Sequence, residues 1–218
     1  MAERTIFFAT TNPAKLAQLR WVAQHMNCTA PIHSAVEQFG DAARYQEVGH
    51  TETEIAQRGA QAVAARIGVP VLTEDTGFYV AALGGKPGIY AGRFLKANGR
   101  QQLLTRLKGE SDRRAEIVSA VAYARPDGEC ILWEHRVPGQ IAHAEQWTPG
   151  LPDWIAPTPQ TSSGGGYNAI FIPCGERRTL AKIPPIEALS WGYREPNFVR
   201  FLKIVLRGQV WYNQGNQE

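Results

Sequence analysis

Two adjacent carboxylates, Glu74 and Asp75, are the side chains of this sequence best suited to chemistry. The apolar run at 69–72 precedes them and predicts a buried strand, while Thr76 and Gly77 follow them. Carboxylates at the end of a strand can hold a hard divalent cation or take a proton from water. The same acid–Thr–Gly pattern also fits a surface turn whose acids cap a helix.

A glycine-rich stretch at 84–92 follows these carboxylates, and Arg93 comes directly after it. The backbone N–H groups of such a stretch and the guanidinium of an arginine both suit phosphate groups. Together with the carboxylates, they predict metal-assisted chemistry on a phosphorylated substrate.

The N-terminal segment supplies a second device for binding phosphate. Residues 5–9 predict a short buried strand, and a helix with regularly spaced apolar residues follows it. Asn12 is a favourable N-cap and Pro13 a favourable first helical residue. The free N–H groups and the positive dipole end of this helix attract anions, and Lys15 lies one turn into it. The alternative is an ordinary capped helix with a solvated lysine.

Ordered motifs along nearly the whole chain resemble those of the inosine triphosphate pyrophosphatase family, which are house-cleaning nucleoside triphosphate pyrophosphatases. Residues 9–15 (Ala-Thr-Thr-Asn-Pro-Ala-Lys) resemble the family's Thr/Ser-x-Asn-x-x-Lys opening. Residues 73–78 resemble its Ala-Asp-Asp-Ser-Gly-Leu, and residues 83–94 resemble its Leu-Gly-Gly-x-Pro-Gly-Val-Tyr-Ser-Ala-Arg-Tyr. Residues 164–171 and 192–194 stand, in the right order, where the family has Gly-Phe-Gly-Tyr-Asp-Pro-Ile-Phe and Ser-His-Arg.

The resemblance implies an α/β fold: an elongated mixed β-sheet flanked by helices, in two lobes with a nucleotide cleft between them. A length of 218 residues suits one such domain, spanning residues 1–218. The resemblance also implies a homodimer and an enzyme that uses Mg²⁺ to release nucleoside monophosphate and pyrophosphate from a nucleoside triphosphate.

Roles for individual residues follow from the resemblance as well. Mg²⁺ is expected on Glu47 and on Glu74 or Asp75, and Asp75 matches the family's proton acceptor; Glu74 and Asp75 can exchange these two roles. Arg194 is expected to contact the base or the sugar. The residues expected to bind the substrate are Thr10, Thr11, Asn12, Lys15, Thr76, Arg93, Gly166, Tyr167, Asn168, Tyr193 and Arg194.

Several positions depart from the family's pattern. In the helix that the family writes Glu-Asn-Ala-x-x-Lys-Ala, its Asn is Ile55 and its Lys is Gly59, and Arg58 is a candidate to replace the lost charge. The positions at which the family reads the base change more. Here the family's aromatic residue is Gly165, its Asp is Asn168, its Lys is Ala188 and its His is Tyr193. Because a hydrogen-bonding site rejects analogues that leave its groups unpaired, these changes predict an altered base selectivity.

The segment 147–166 is rich in Pro, Gly, Ser and Thr and predicts a long loop, which is either functional or disordered. Trp154 within it is a candidate to cover the base in place of the missing aromatic residue. The alternative is a tryptophan on the surface or in a dimer contact.

Composition narrows the class of protein. A net charge of +3 without a Lys/Arg-rich run argues against a polymeric nucleic acid as partner. The N-terminal apolar stretch is too short for a signal or membrane segment, so we expect no membrane association. Cys28, Cys130 and Cys174 are widely spaced, which suits reduced thiols in a cytoplasmic protein better than disulfides or zinc.

The elements that must position these residues can be read from the same sequence. Thr51 and Glu54 form a capping box that opens a helix through about residue 66. Residues 115–124 and 130–137 predict an antiparallel hairpin, which makes the sheet mixed. Helices are also predicted at 101–107 and 196–206, and residues 214–218 are expected to fray.

Two other functions are compatible with the sequence. One is a biosynthetic hydrolase acting on an unusual nucleotide. The other is a non-catalytic nucleotide-binding module, which the loss of the lysine at Gly59 favours and the presence of Glu47, Glu74, Asp75 and Lys15 disfavours.

Overall fold

The computed structural model describes residues 5–206, and within them seven strands form one mixed sheet. The strands are β1 (Ile6–Phe8), β2 (Ile32–Ser34), β3 (Val71–Val80), β4 (Pro87–Gly88), β5 (Arg114–Ala124), β6 (Cys130–Ile141) and β7 (Phe171–Pro173). The helices are α1 (Pro13–His25), α2 (Ala35–Phe39), α3 (Glu52–Ile67), α4 (Ala91–Arg106), α5 (Pro185–Trp191) and α6 (Glu195–Leu206).

The strand order is β2-β1-β3-β5-β6-β7, and the short β4 pairs with β3. Strand β1 runs parallel to β2 and β3, whereas the pairs from β3 to β7 are antiparallel. The predicted mixed α/β sheet flanked by helices is therefore confirmed. Its division into two lobes stays a prediction, and residues 214–218, which were expected to fray, lie outside the described residues.

Helix signals in the sequence operate as predicted. The side chain of Asn12 accepts a hydrogen bond from the Ala14 N–H at the start of α1, and Pro13 is the first helical residue. Thr51 caps α3 by accepting from the Glu54 N–H, and the Glu54 carboxylate accepts from the His50 N–H. Each cap satisfies backbone donors that the first helical turn leaves unpaired.

The prediction that Glu74 and Asp75 end a strand is wrong, because β3 continues through them to Val80. Strand β5 pairs with β3 along all ten residues, from Val71 opposite Ala124 to Val80 opposite Ala115. On its other side, β3 pairs with β1 only at Val71 and Leu72. The long antiparallel partner thus keeps the acidic residues extended, while the short parallel partner leaves the edge of β3 open beside them.

The two faces of the sheet are covered by different helices. Helices α1 and α6 pack on one face, where Leu19, Phe198 and Phe201 join a buried apolar cluster with Phe8 and Leu72. Helix α3 packs on the other face through small side chains, which allow a close approach of helix and sheet. None of the helices between residues 5 and 206 has the length and apolar character needed to cross a bilayer.

Candidate active site

A cleft of about 1400 Å³ opens beside the acidic part of β3. The N-terminal end of α1, the first half of α4 and the segment 153–167 form its other walls. All but one of the residues predicted for the site line this cleft: Thr10, Thr11, Asn12, Lys15, Glu47, Glu74, Asp75, Thr76, Arg93, Gly166, Tyr167, Tyr193 and Arg194.

Asn168 is the exception, because it is buried behind the cleft wall. Its side-chain N–H donates to the Ile155 carbonyl at 3.1 Å, and its backbone carbonyl accepts from the Ala181 N–H. The structure therefore gives Asn168 a part in holding the wall together, whereas the sequence predicted contact with the substrate.

Lys15 connects α1 to the open edge of β3. Its ammonium lies 2.7 Å from Oε2 of Glu74 and donates to the Glu74 backbone carbonyl at 3.0 Å. This lysine is partly accessible from the cleft, with 16% of its side chain exposed. The predicted anion site at the start of α1 therefore has its cation fixed against β3, beside the carboxylates.

Glu74 is the centre of a buried polar network. Its Oε1 accepts from the hydroxyls of Thr76 and Ser119 and lies 3.2 Å from Nε of Arg194. Burial alone would raise the pKa of this carboxyl, but Arg194 and Lys15 outweigh it and lower the pKa to about 2. Glu74 is thus an ionised group whose oxygens are committed to protein partners.

Asp75 lies in a contrasting environment, although it is the next residue. Successive side chains of a strand point to opposite faces, so Asp75 faces α3 while Glu74 faces α1 and α6. Its Oδ2 is buried without a hydrogen-bond partner in the described part of the chain. Burial raises the pKa of Asp75 to about 7; Lys15 opposes the shift, and the charges of Glu74, Glu47 and Glu52 add to it.

Glu47 and Arg93 meet at the mouth of the cleft, where their charged groups are 3.5 Å apart and largely exposed. The sequence predicted a metal ligand and a phosphate ligand at these two positions. Between residues 5 and 206, no group of three or more His, Cys, Asp or Glu residues is arranged to hold a metal ion. Glu47, Glu74 and Asp75 therefore share one cleft without forming a ready-made ligand cage.

Arg194 is directed toward the carboxylates. Besides Glu74, its guanidinium donates to the Thr76 hydroxyl at 3.1 Å and to the Tyr193 hydroxyl at 2.9 Å. Its Cζ lies 4.6 Å from the centre of the Tyr193 ring. These contacts fix Tyr193 and Arg194 as one unit, which presents the phenol to the cleft.

Tyr45 is a residue of the site that the sequence analysis missed. Its ring packs so closely on α3 that a Cβ added at Gly59 would lie 2.5 Å from it. Tyr45 therefore occupies the space opened by the glycine, and it lines the cleft beside Asp75. Arg58, the candidate for the lost charge, contacts Glu54 and the Val48 carbonyl and is exposed outside the cleft. The sequence signal for this contact was Gly59, because a glycine inside a helical pattern usually has a packing or functional reason.

Trp154 packs inside the chain. It is 5% exposed, and its ring centroid lies 5.5 Å from that of Trp21 on α1. The alternative of a surface or dimer-contact tryptophan is wrong, because the loop folds this residue into the cleft wall. Gly165 lies against the same loop, and any side chain there would collide with the Ile155 carbonyl.

Comparisons with known proteins agree with one another over most of the chain. The model of the Ham1 family matches residues 6–203. A dITP/XTP pyrophosphatase of Deinococcus deserti is 31% identical over 195 residues, covering 88% of this chain and 84% of that protein. Another dITP/XTP pyrophosphatase, from Gloeobacter violaceus, is 33% identical over 214 residues, with coverages of 94% and 96%. The solved structure of the Staphylococcus aureus Ham1 protein gives a TM-score of 0.73 at 25% identity, covering 94% of this chain and 100% of that one.

Proposed function

The chain belongs to the Ham1 family, and on that premise we propose that it is a nucleoside triphosphate pyrophosphatase. Family membership confirms the resemblance seen in the sequence. The observation that carries the proposal is the juxtaposition, in one cleft, of the α1 N-terminus with Lys15 and the unpartnered oxygen of Asp75. A phosphate-binding end and an acceptor for a proton are what hydrolysis of a phosphoric anhydride requires.

Asp75 moves the proton in this proposal. Burial raises the pKa of Asp75, which makes its carboxylate a stronger acceptor for a proton than an ordinary aspartate. The Asp75 carboxylate takes a proton from a water molecule, the oxygen of that water forms a bond to the α-phosphorus, and the bond between this phosphorus and the α–β bridging oxygen breaks. The products are nucleoside monophosphate and pyrophosphate.

The phosphate-binding residues hold the leaving group. The N–H groups at the start of α1 and the Lys15 ammonium bind the β- and γ-phosphates, and Arg93 reaches them from the mouth of the cleft. Glu74 keeps Lys15 and Arg194 in place, because both cations contact its carboxylate. Tyr193 lies toward the base.

The residues present fit a divalent cation. Asp75 offers a buried carboxylate oxygen that has no hydrogen-bond partner in the described part of the chain. The carboxylates of Glu74, Glu47 and Glu52 lie near it, and that of Glu47 is accessible from solvent. We assign Mg²⁺ to Asp75 and Glu47, since the oxygens of Glu74 are already occupied by protein donors. When bound, Mg²⁺ neutralises the negative charge of the phosphate oxygens.

We further propose a homodimer in the cytoplasm, with a base selectivity that differs from the inosine and xanthosine preference expected of this family. The free thiols of Cys28, Cys130 and Cys174 support a reducing compartment, and the packing at Gly165 supports a changed base pocket. Light scattering at micromolar concentration tests the dimer, and a monomer there would refute it.

The decisive experiment measures pyrophosphate and nucleoside monophosphate released from a panel of nucleoside triphosphates, with and without Mg²⁺. Equimolar release of both products, dependent on Mg²⁺ and lost in Asp75→Asn, is the expected result. Release of orthophosphate would contradict attack at the α-phosphorus. Tight nucleotide binding without any hydrolysis would favour the non-catalytic binding module instead.

A further inference from the structure

Arg100 is a buried arginine on α4 that does not contact the carboxylate network of the site. It is 6% exposed, and it follows Gly99, where α4 is kinked. Gly99 has a φ of 69° and a ψ of 177°, a conformation that residues with side chains rarely adopt. The kink therefore requires glycine, and it sets the direction from which Arg100 enters the cleft wall.

The Arg100 guanidinium binds the wall itself. Its Nη2 donates to the Ser162 carbonyl at 2.6 Å, and Nη1 donates to the Gly166 and Gly164 carbonyls at 2.8 and 3.4 Å. Its Nε donates to Glu145 at 2.8 Å in a nearly buried ion pair. Arginine has five N–H donors, so these four contacts commit most of them to the protein. We call this set of contacts, from Arg100 to Glu145 and to the carbonyls of Ser162, Gly164 and Gly166, the clamp. It leaves Arg100 few N–H donors with which to bind phosphate.

The clamped segment is held through its backbone: besides Arg100, it has turn hydrogen bonds from the Gly164 N–H to the Thr161 carbonyl and from the Gly166 N–H to the Ser163 carbonyl. Residues 162–166 form no helix or strand, and Gly164, Gly165 and Gly166 have no side chains with which to pack. Gly165 lies against the turn that carries Trp154, and its N–H donates to the Asp153 carbonyl. Fixing the carbonyls on either side of Gly165 therefore also fixes the position of the Trp154 turn.

Gly166 connects this clamp to the base-binding end of the cleft. Its carbonyl accepts from Arg100, and a Cβ added to it would lie 4.0 Å from the hydroxyl of Tyr193. The phosphate-binding end has its own anchor in the ion pair of Lys15 with Glu74, although the Trp154 turn also packs on Trp21 of α1. A shift of residues 162–166 would thus act first on the space next to Tyr193, while the Lys15–Glu74 pair holds the phosphate site.

We propose that Arg100 is a positioning residue for base specificity, acting through the backbone carbonyls of residues 162–166. The inference rests on the proposed pyrophosphatase function and deepens it. Lysine in place of Arg100 keeps the charge but cannot span these carbonyls and Glu145 together, because its ammonium is a point charge on a flexible stem.

The test compares Arg100→Lys with Arg113→Lys. Arg113 is a matched control, because it also donates to three backbone carbonyls, those of Leu107, Ile141 and Ala142, but does not line the cleft. For each variant, kcat and KM are measured on inosine, xanthosine, guanosine, adenosine, cytidine and uridine triphosphates, and inorganic pyrophosphate is titrated as a product inhibitor.

Arg100→Lys should reduce the ratio of kcat/KM between the best and worst nucleotide by about tenfold, mainly through KM, since a displaced wall recognises bases less well. Inhibition by inorganic pyrophosphate should stay within twofold of wild type, and Arg113→Lys should keep the wild-type ratio. If Arg100→Lys does not fold, Glu145→Gln weakens the same clamp and should shift the ratio in the same direction.

Three results would overturn the inference. They are an unchanged base ratio in a folded variant, an equal loss with Arg113→Lys, and a parallel weakening of pyrophosphate inhibition. A wild-type protein that releases no pyrophosphate from any nucleotide would instead overturn the proposed function, and the inference with it.

Discussion

The Lys15 ammonium contacts Glu74 twice, at carboxylate Oε2 (2.7 Å) and at the backbone carbonyl (3.0 Å). The first contact compensates a buried charge, and the second is possible because β1 stops pairing with β3 after Leu72. One lysine therefore joins α1 to the acidic strand, so the proposed phosphate site and the buried network around Glu74 share this residue.

Replacing Lys15 with Ala tests this link. We expect KM for any triphosphate substrate to rise by about ten- to hundredfold, the effect of losing a charge-assisted hydrogen bond. The order of base preference should not change, because Lys15 contacts no residue of the base-binding wall. Steady-state kinetics on the nucleotide panel measure both quantities.

Lys96→Ala is the matched control, since Lys96 is an exposed lysine on α4 that lines the same cleft. Its loss should raise KM much less than the loss of Lys15. Equal effects of the two substitutions would mean that general positive charge attracts the substrate and that α1 holds no specific phosphate site. A changed base preference in Lys15→Ala would contradict the assignment of Lys15 to the phosphate end.

Removing the charge of Asp75 and removing the charge of Glu74 should affect the stability of the fold differently. Asp75→Asn removes the proposed general base, and the loss of a general base typically costs about a hundred- to ten-thousandfold in turnover. It should not lower the free energy of unfolding, because Oδ2 has no hydrogen-bond partner among residues 5–206 and because burial and the neighbouring carboxylates outweigh the attraction of Lys15 for this charge. A pyrophosphate-release assay measures the turnover, and chemical denaturation measures the free energy of unfolding. Turnover near that of the wild type would refute the role of Asp75.

Glu74→Gln is expected to destabilise the fold by about 3 kcal/mol, because it leaves two buried or partly buried cations without their counter-charge. Lys15 and Arg194 are those cations. Denaturation curves of Glu74→Gln and Asp75→Asn, recorded side by side, give the comparison. Equal stability of the two variants would show that the Glu74 network does not hold these elements together.

Short-range signals in the sequence predicted the helices that carry the site. Asn12 with Pro13, and Thr51 with Glu54, specify helix starts through hydrogen bonds within a few residues, and both starts are confirmed. Such contacts are local, so the sequence pattern contains them completely.

Contacts between distant segments could not be predicted in the same way. The acidic motif at Glu74 has the composition of a turn. It lies in the middle of strand β3 because it pairs with β5, which is more than forty residues away in sequence. Tyr45 and Arg100 line the cleft through contacts with α3 and with residues 162–166, which are distant from them in sequence. The sequence signals of these contacts are Gly59 and Gly99, two glycines inside helices, but neither signal identifies the partner.

Gly59 gives a further prediction about stability. Alanine at this position should cost about 1–3 kcal/mol of unfolding free energy, because its Cβ would lie 2.5 Å from the Tyr45 ring and force that ring to move. The matched control is Gly92→Ala on α4, where no atom lies within 4 Å of the added Cβ. That substitution should be neutral or stabilising by up to about 1 kcal/mol.

Tyr45→Ala separates crowding from any other effect of the Gly59 substitution. Added to Tyr45→Ala, the substitution Gly59→Ala should no longer destabilise, since the ring that it displaces is absent. Thermal or denaturant unfolding of the four proteins in this double-mutant cycle measures the interaction. An equally large cost of Gly59→Ala in both backgrounds would mean that the Tyr45 ring does not determine the requirement for glycine.

The base preference should depend on the wall of the cleft around Gly165 and on Tyr193. Gly165 stands where the sequence resemblance places the family's aromatic residue, and the backbone of Ile155 occupies the space where a side chain would begin. Asn168 supports that wall, and the phenol of Tyr193 is held at the cleft by Arg194. The groups that we propose to contact the base are thus a tyrosine and the wall next to Trp154, which differ from a stacking aromatic with an acidic acceptor.

We therefore expect inosine triphosphate not to be the best substrate, and another nucleotide to be hydrolysed faster. The measurement is kcat/KM over common, deaminated and modified purine and pyrimidine triphosphates, each as ribose and deoxyribose forms. Tyr193→Phe gives an internal check: it removes a hydroxyl next to Gly166 and should change the order of substrates while leaving inhibition by inorganic pyrophosphate intact. A clear preference for inosine and xanthosine triphosphates would mean that the rebuilt wall preserves the family's selectivity by different contacts.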